Sequence, residues 1–542
     1  MAETSQAAAK PNASSWAPFR HQPFTVLWIA TTISNMGMWM NDVGAGWLMT
    51  TLDPSPARVA LVQTATALPV FLFALPAGAL ADIVDRRRML LLVNLMAFLT
   101  AVVFAAFVAM GWVTVPVLLA FTFLLGCWQA FMQPAWQAIV PSLVPRAELP
   151  AAVALNSMAV NIARATGPAL AGAIMVPLGI AVLFVLNAVS RVAVLAGLFW
   201  WRPPAPAERR LPPEPVGRAI LTGLRYASRS QPLKMTLIRA VAFFGFASLY
   251  WATLPLIARE QLQGGPSTYG LLLGLIGLGA LVGALGLPRL RARFDMGRIV
   301  MIGSLGTALA MAIFALGGSL ILGFLAAFIA GVSWMAVLSS LNVSAQSALP
   351  DWVRARGLAI FIMVFFGTMS FASLAWGQIA ARFGLTATLL ASAIGLALSA
   401  IWALRFALPD QGKLDLLPSS HWPEILPKLE VGHDRGPVMI EITYQIDVAE
   451  RDDFLAALYA FREERYRDGA YDWNVFEDVE TPGLMTEYFL VGSWLDHLRQ
   501  HERVTRSDRD LQAEVRKFHR GAVPPVTHHR VAPEPRGAWR SR

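Results

Sequence analysis

Between positions 24 and 408, apolar runs of about 20 residues or slightly more follow one another, separated by short polar turns. That is the length a helix needs to cross a hydrocarbon core. The runs predict twelve helices, at 24–50, 57–81, 89–110, 113–140, 151–176, 178–200, 235–259, 268–287, 297–316, 319–342, 357–381 and 386–407. Leu90 to Ala106 is apolar on every face. This excludes both the one-sided stripe of a soluble helix and the ~10-residue alternation of a transmembrane β-barrel strand.

After position 408 the pattern becomes that of a water-soluble domain. Alternation and amphipathic periodicity predict a strand at 439–447, a helix at 449–467, strands at 471–479 and 484–494, a helical stretch at 495–518 and a strand at 525–531. The order βαββαβ points to a ferredoxin-like α+β domain. The expected organisation is an N-terminal tail at 1–23, a six-helix half at 24–200, a Pro- and Arg-rich central loop at 201–234 and a second six-helix half at 235–408. A linker at 409–436, the α+β domain at 437–532 and a tail at 533–542 complete it.

Composition agrees with a membrane location, since 56% of the residues are hydrophobic and 15% charged, with a mean hydropathy of +0.52. Soluble chains carry about 25% charged residues. Residues 1–21 lack the regions of a secretory signal, so the first helix is expected to be retained. Cys127 is the single cysteine, which rules out an intrachain disulfide.

The charge is distributed by side. Lys10, Arg20, Arg86 to Arg88, Arg146, the central loop, Arg289, Arg291, Arg293, Arg298, Arg354, Arg356 and Arg405 fall on one side of the predicted helices, whereas only Arg58, Arg259 and Arg382 fall on the other. The positive-inside rule then places both termini and the central loop in the cytoplasm, against anionic lipid. Acidic residues outnumber basic ones across 441–530, which argues against nucleic acid as a partner despite the net charge of +9. Each half has a basic turn after its second helix, a weak internal repeat of the kind transporters display.

Chemistry concentrates in a few places. The turn GALADIVDRRR carries Gly78, Leu80, Asp82, Arg86 and Arg87, where a small residue permits close helix approach and a carboxylate can pair across a gate. The run NIARATGPALAG carries Gly167, Pro168 and Gly172, a proline bend flanked by small residues, together with Arg164. A cation that deep in a spanning helix faces a cavity or a partner. Asp42 is the acidic residue inside the first helix, and with Arg164 it forms the candidate proton-coupling set; Arg191 and Arg239 are further intramembrane cations. Polar cavity candidates in the first half are Asn41, Gln63, Gln129, Gln133 and Asn161. Those in the second half are Tyr250, Trp334, Asn342, Gln346 and Trp376.

The GALADIVDRRR turn resembles the signature loop of the major facilitator superfamily, with Asp85 standing where that family usually has Gly. NIARATGPALAG is similar to the Gly-Pro motif of its antiporters. Together with FMQPAWQAIVPSLVPRAELPAAVALNS at Phe131 to Ser157, they resemble the drug/proton antiporter branch that includes siderophore exporters, and within it the transmembrane secretion effectors. The resemblance implies an all-α polytopic fold of two six-helix halves and efflux of a hydrophobic or amphipathic small molecule against proton entry.

The stretch Tyr488 to Asp508 resembles the antibiotic-biosynthesis-monooxygenase-like fold, with Trp494, His497 and His501 in the matching strand-to-helix region. That fold commonly pairs its sheets, which implies a homodimer, with Val475, Tyr488 and Leu490 expected on the pairing face. His497 and His501 stand at i, i+4 and so share a helix side, but spacing supplies no third ligand and no metal is assigned. No G-x-x-x-x-G-K-[ST] loop occurs, so direct ATP drive is not expected and no cofactor is assigned. A proton-coupled exporter is the first reading. A transporter fused to a catalytic or ligand-binding module, and an importer of the same fold, are the alternatives, because fold does not set direction.

Overall fold

The computed structural model describes residues 15–202, 216–350, 352–405 and 434–533, with 408, 415, 416, 419 and 432. The first half contains α1 (Gln22–Leu52), α2 (Pro56–Ile83), α3 (Arg86–Ala109), α4 (Val115–Ile139), α5 (Leu149–Leu178) and α6 (Ala181–Trp200). A shorter helix, α7 (Val216–Arg229), follows. The second half contains α8 (Gln231–Leu256), α9 (Pro266–Arg291), α10 (Met296–Leu316), α11 (Leu320–Ser347), α12 (Arg354–Phe383) and α13 (Leu385–Trp402). Beyond them lie β1 (Val438–Gln445), α14 (Arg451–Arg467), β2 (Tyr471–Glu477), β3 (Leu484–Val491), α15 (Trp494–Arg503), α16 (Arg506–Arg516) and β4 (Val526–Val531).

Among the described residues, 11 helices are long and apolar enough to cross a membrane by length and composition. The twelfth long helix is α1, whose 31 residues include Thr31, Thr32, Ser34, Asn35, Asn41 and Asp42. Those polar side chains lower its hydropathy without shortening it, as a helix lining a polar interior requires. The two halves start their third helices in the same way. Asp85 Oδ1 accepts from the backbone N–H of Arg88 at 2.7 Å at the head of α3, and Asp295 Oδ1 accepts from Arg298 N–H at 2.9 Å at the head of α10. Each carboxylate satisfies an orphan donor of the first turn and meets the positive end of the helix dipole.

The chain forms two compact units. The first holds α1 to α6, α9, α10, α13 and most of α8, α11 and α12. Within it α1 packs on α5 and α6, α2 on α4, α3 on α6, α5 on α9, and α10 on α13.

The second unit holds the sheet domain with α7, the start of α8 as far as Thr236, and Val343–Ile360 around the α11 to α12 turn. It is thus wider than the 437–532 expected from composition, and α7 occupies part of the stretch read as a loop. Tyr226 explains why α7 joins it. Its hydroxyl donates to Ala348 O at 2.9 Å, its ring meets Trp352 edge-on at 5.7 Å, and the Arg467 guanidinium lies 5.5 Å over its face.

The four strands form one antiparallel sheet in the order β2-β3-β1-β4, the ferredoxin-like arrangement. Alternation along β1 turns Val438, Ile440, Ile442 and Tyr444 inward, where they meet Phe454, Leu458 and Phe461 of α14. The helical stretch expected as one piece is two helices. Val504 caps the end of α15, and Thr505 opens α16 with a capping box, its hydroxyl accepting from Asp508 N–H while Asp508 Oδ2 accepts from Thr505 N–H at 2.8 Å.

A second departure lies in β2. The register with β3 shifts between Tyr471 and Asn474, which sets Val475 opposite Glu487 on the buried face. Val475 therefore leaves the outer face on which alternation had placed it, and Phe476, 58% exposed, stacks on Tyr488 there at 5.7 Å.

Candidate transport pathway and appended-domain pocket

The polar centre of the first half is built by α1 and α6. Asn187 Nδ2 donates to Asn41 Oδ1 at 3.4 Å, Asn41 Nδ2 donates to Asp42 Oδ1 at 3.5 Å, and Arg191, one turn beyond Asn187, is the cation whose field acts on Asp42. Gly37 lets the helices approach, because a Cβ there would lie 3.1 Å from Asn187 Cα. Arg191 is buried, and its Nε has no hydrogen-bond partner among the described residues.

Arg164 sits elsewhere. Its guanidinium lies 5.7 Å over the Trp39 ring and its Nε is likewise without a hydrogen bond among the described residues. The acid of α1 is therefore coupled to the cation of α6, while the cation of α5 rests on an aromatic face. Spacing did not distinguish the two arginines, because which face each helix turns toward α1 is a packing outcome. Arg239 is buried and donates to Gly297 O at 3.2 Å in the first turn of α10.

Close packing around the bend of α5 follows its small residues. A Cβ on Gly167 would lie 2.8 Å from Trp39 Cβ, and one on Gly172 would lie 3.0 Å from Gly270 Cα of α9. Pro168 is buried inside the helix. Along α9 the residues Gly270, Gly274 and Gly277 meet Gly172, Ala169 and Ala165 in turn, so α5 and α9 cross between the halves on a seam of small side chains.

The second half supplies an aromatic wall. Trp251 and Trp334 stack with centroids 5.2 Å apart, and Phe243, Phe244, Tyr250 and Phe365 surround Trp334. The Tyr250 hydroxyl is buried with no hydrogen-bond partner among the described residues. Trp376 Nε1 donates to Gly245 O at 2.8 Å. Asn161 Nδ2 bonds back to Ser157 O at 2.9 Å on its own helix. Gln63 and Gln129 are half-buried, Gln129 with Oε1 unmatched among the described residues. Asn342 is half-buried, while Gln133 and Gln346 are exposed. Sequence alone does not single out Asn187 and Trp251; each adjoins a named candidate, one turn before Arg191 and next to Tyr250.

At the signature turn, a Cβ added to Gly78 would meet nothing within 4 Å, so no neighbouring helix crowds it in this conformation, contrary to the close approach expected. Leu80 is exposed. Arg86 donates to Ala138 O at 3.1 Å, and Arg87 donates to Leu198 O and Phe199 O, both at 2.8 Å, matching the last open carbonyls of α6. Both arginines thus fasten helices of their own half. The side chain of Asp82, most of the central loop, most of the N-terminal tail and most of the linker lie outside the described residues.

In the appended domain, the buried Trp494 ring lies 5.5 Å from His497, which is 5.0 Å from His501. The sheet adds His529 of β4, whose ring is 4.8 Å from His497. One ligand atom from each histidine lies within 4.8 Å of the others, so this group can hold a metal. Glu487 on β3 is fully buried and receives Trp473 Nε1 at 2.9 Å, Tyr444 Oη at 3.1 Å and Arg465 Nε at 3.2 Å.

Among the described residues, twelve long helices in two halves whose third helices open with the same Asp cap, a polar centre between spanning helices and an inter-half seam of small residues define a secondary membrane transporter with the major facilitator fold. The chain belongs to the transmembrane secretion effector family, whose profile matches residues 13–537. It is 25% identical over 394 residues to the staphyloferrin A transporter of Staphylococcus aureus, covering 71% of this chain and 96% of that protein. It is 28% identical over 334 residues to the enterobactin exporter of Shigella boydii, covering 59% of this chain and 76% of that one. Among solved structures it is similar to a bacterial homologue of the human lysosomal transporter Spinster, with a TM-score of 0.56 and 16% identity over 72% of this chain and 97% of that chain. The nucleoside transporter NupG has the same TM-score of 0.56 at 14% identity, which is likeness of fold alone. Family and fold are those of a transporter and not of an enzyme.

Proposed function

We propose that this protein exports a siderophore-like or other amphipathic small molecule by alternating access, driven by proton entry. The observation that carries the reading is the cluster of half-buried Asp42 with buried Asn41, Asn187 and Arg191. A carboxylate inside a spanning helix is costly unless it is paired or used, and one set against a movable cation can take up and release a proton as the pairing changes. The relatives named for staphyloferrin A and enterobactin put siderophores first among substrates, and the Trp251 and Trp334 wall suits an aromatic or amphipathic guest.

In this reading both termini face the cytoplasm of a bacterial inner membrane, Asp82 contributes to the gate, and the appended domain self-associates through its outer sheet face. The test is transport in proteoliposomes with an imposed pH gradient, using a catecholate and a carboxylate siderophore as substrates. Gradient-dependent movement supports the proposal; uptake indifferent to the gradient removes proton coupling, and movement only into the cytoplasm-equivalent side favours the importer.

A further inference from the structure

The histidines of the appended domain belong to elements far apart in the sequence. His497 and His501 lie one turn apart on α15, so their side chains share one side of that helix. His529 lies on the edge strand β4 opposite Ile440, an inward position of β1, and this register turns it toward the helix side of the sheet while its neighbour His528 is exposed.

The hydrogen bonds around His497 fix which nitrogen is free for coordination. Gln500 Nε2 donates to Asp468 O at 3.4 Å, which directs its Oε1 toward His497 Nδ1, also at 3.4 Å. Nδ1 therefore carries the proton, and Nε2 presents a lone pair. That Nε2 is buried and has no hydrogen-bond partner among the described residues, in a side chain only 1% exposed. A buried polar atom left unmatched is expensive and calls for a ligand. The outer hydrogen bond from Nδ1 to an amide oxygen is the arrangement that orients and strengthens a histidine ligand.

We infer that His497, His501 and His529 form a three-nitrogen site for a divalent transition-metal ion, with a fourth position open, that ties α15 to the edge strand β4. One ligand atom from each lies within 4.8 Å of the others. Tetrahedral zinc with bonds of about 2.0–2.1 Å would draw the three nitrogens closer together on binding. Imidazole donors without a carboxylate select zinc, copper, nickel or iron over magnesium and calcium. The nearby Arg465 charge is held by Glu487 at 3.2 Å, which limits its repulsion of a cation. The site stands independently of the transport reading.

The test uses the full chain, without an affinity tag, purified in detergent and stripped with a chelator. Titration with cobalt, read by its visible absorption, and competition with zinc should give one bound ion per chain. His529→Gln and His501→Gln should each weaken binding by more than the about 10–100-fold that loss of an outer hydrogen bond costs, and Gln500→Ala should fall within that interval. His528→Gln should bind like the parent. If His529→Gln fails to fold, the half-exposed His501→Gln decides. Absence of stoichiometric binding, or equal binding by the His501→Gln and His528→Gln chains, overturns the assignment.

Discussion

Gly172 of α5 and Gly270 of α9 meet so closely that a Cβ built on Gly270 would stand 2.7 Å from Gly172 Cα. No side chain fits there without moving a helix. The contact joins the two halves of the transporter, and the Gly274 and Gly277 contacts continue it along α9. An alternating-access cycle requires the halves to tilt about some fixed line, and a seam without protruding side chains allows tilting without interlock.

Gly270→Val is therefore expected to cost about 1–3 kcal/mol by overpacking and to abolish transport. Gly286→Val, at a position on the same helix with nothing within 4 Å, should do neither. Melting temperature and proteoliposome flux measured on both variants check this. Equal effects would mean that the seam has no special role.

Asp42→Asn keeps the shape and the hydrogen bond from Asn41 but removes the charge that Arg191 answers. Flux driven by a pH gradient is expected to fall by at least about tenfold, the effect of ~1.4 kcal/mol, while expression holds. Arg164→Gln should reduce it less, since that guanidinium rests on Trp39. A larger loss in Arg164→Gln than in Asp42→Asn would give Arg164 the leading part in the proton-coupling set expected from sequence.

Three acids surround Arg467: Asp508 Oδ2 at 2.8 Å, Asp468 Oδ1 at 3.1 Å and Glu464. One cation cannot balance three carboxylates. Burial, helped by the Asp508 and Asp468 charges and opposed by Arg467, pushes the Glu464 carboxyl up to about 8. The folded chain then holds a proton that the unfolded chain releases near the ordinary glutamate value, so stability is present at low pH and declines as pH rises from about 5 to about 8. Glu464→Gln should flatten this decline in scanning fluorimetry across that interval. An unchanged slope would assign the pH dependence elsewhere.

What was legible in the sequence followed local rules. Twelve apolar runs and the βαββαβ order both depend on neighbours in the chain. Thr505 with Asp508 was a readable stop between α15 and α16 that the amphipathic period hid. Other features depended on tertiary geometry. Arg191 and Arg164 look alike in sequence as cations within spanning helices, and only the turning of α6 and α5 against α1 separates them. The shift between Tyr471 and Asn474 reversed the face of Val475, and His529 joined its partners only through the pairing of β4 with β1.

Tyr226 links three parts of the second unit, through its bond to Ala348 O, its ring contact with Trp352 and the overlying Arg467. Tyr226→Phe should cost about 1 kcal/mol for the lost hydrogen bond. Tyr226→Ala should raise hydrogen exchange in α7, in the α11 to α12 turn and in α14 together. Increased exchange confined to α7 would show that the residue packs its own helix and couples nothing.

The outer face of the sheet presents Phe476 stacked on Tyr488, with Tyr471 also exposed. Exposed aromatics on adjoining strands form a flat apolar patch that water covers poorly, and a second copy of the same sheet offers the same patch in return. Covering one such ring contributes about 1.5 kcal/mol, and symmetry counts it twice, so Phe476→Asp should weaken self-association by roughly a hundredfold. Tyr488→Asp should act in the same direction, because it removes the surface on which Phe476 lies. Val475→Asp distinguishes this face from the one expected by alternation: it lies among the inner residues beside Glu487 and should destabilise the fold instead of merely separating copies. Mass photometry of the full chain in nanodiscs is expected to show two copies for the parent and one for Phe476→Asp, with transport and melting temperature measured alongside. A parent that is monomeric at every concentration tested would remove the dimer, and a Phe476→Asp chain that remains paired would move the interface off this face.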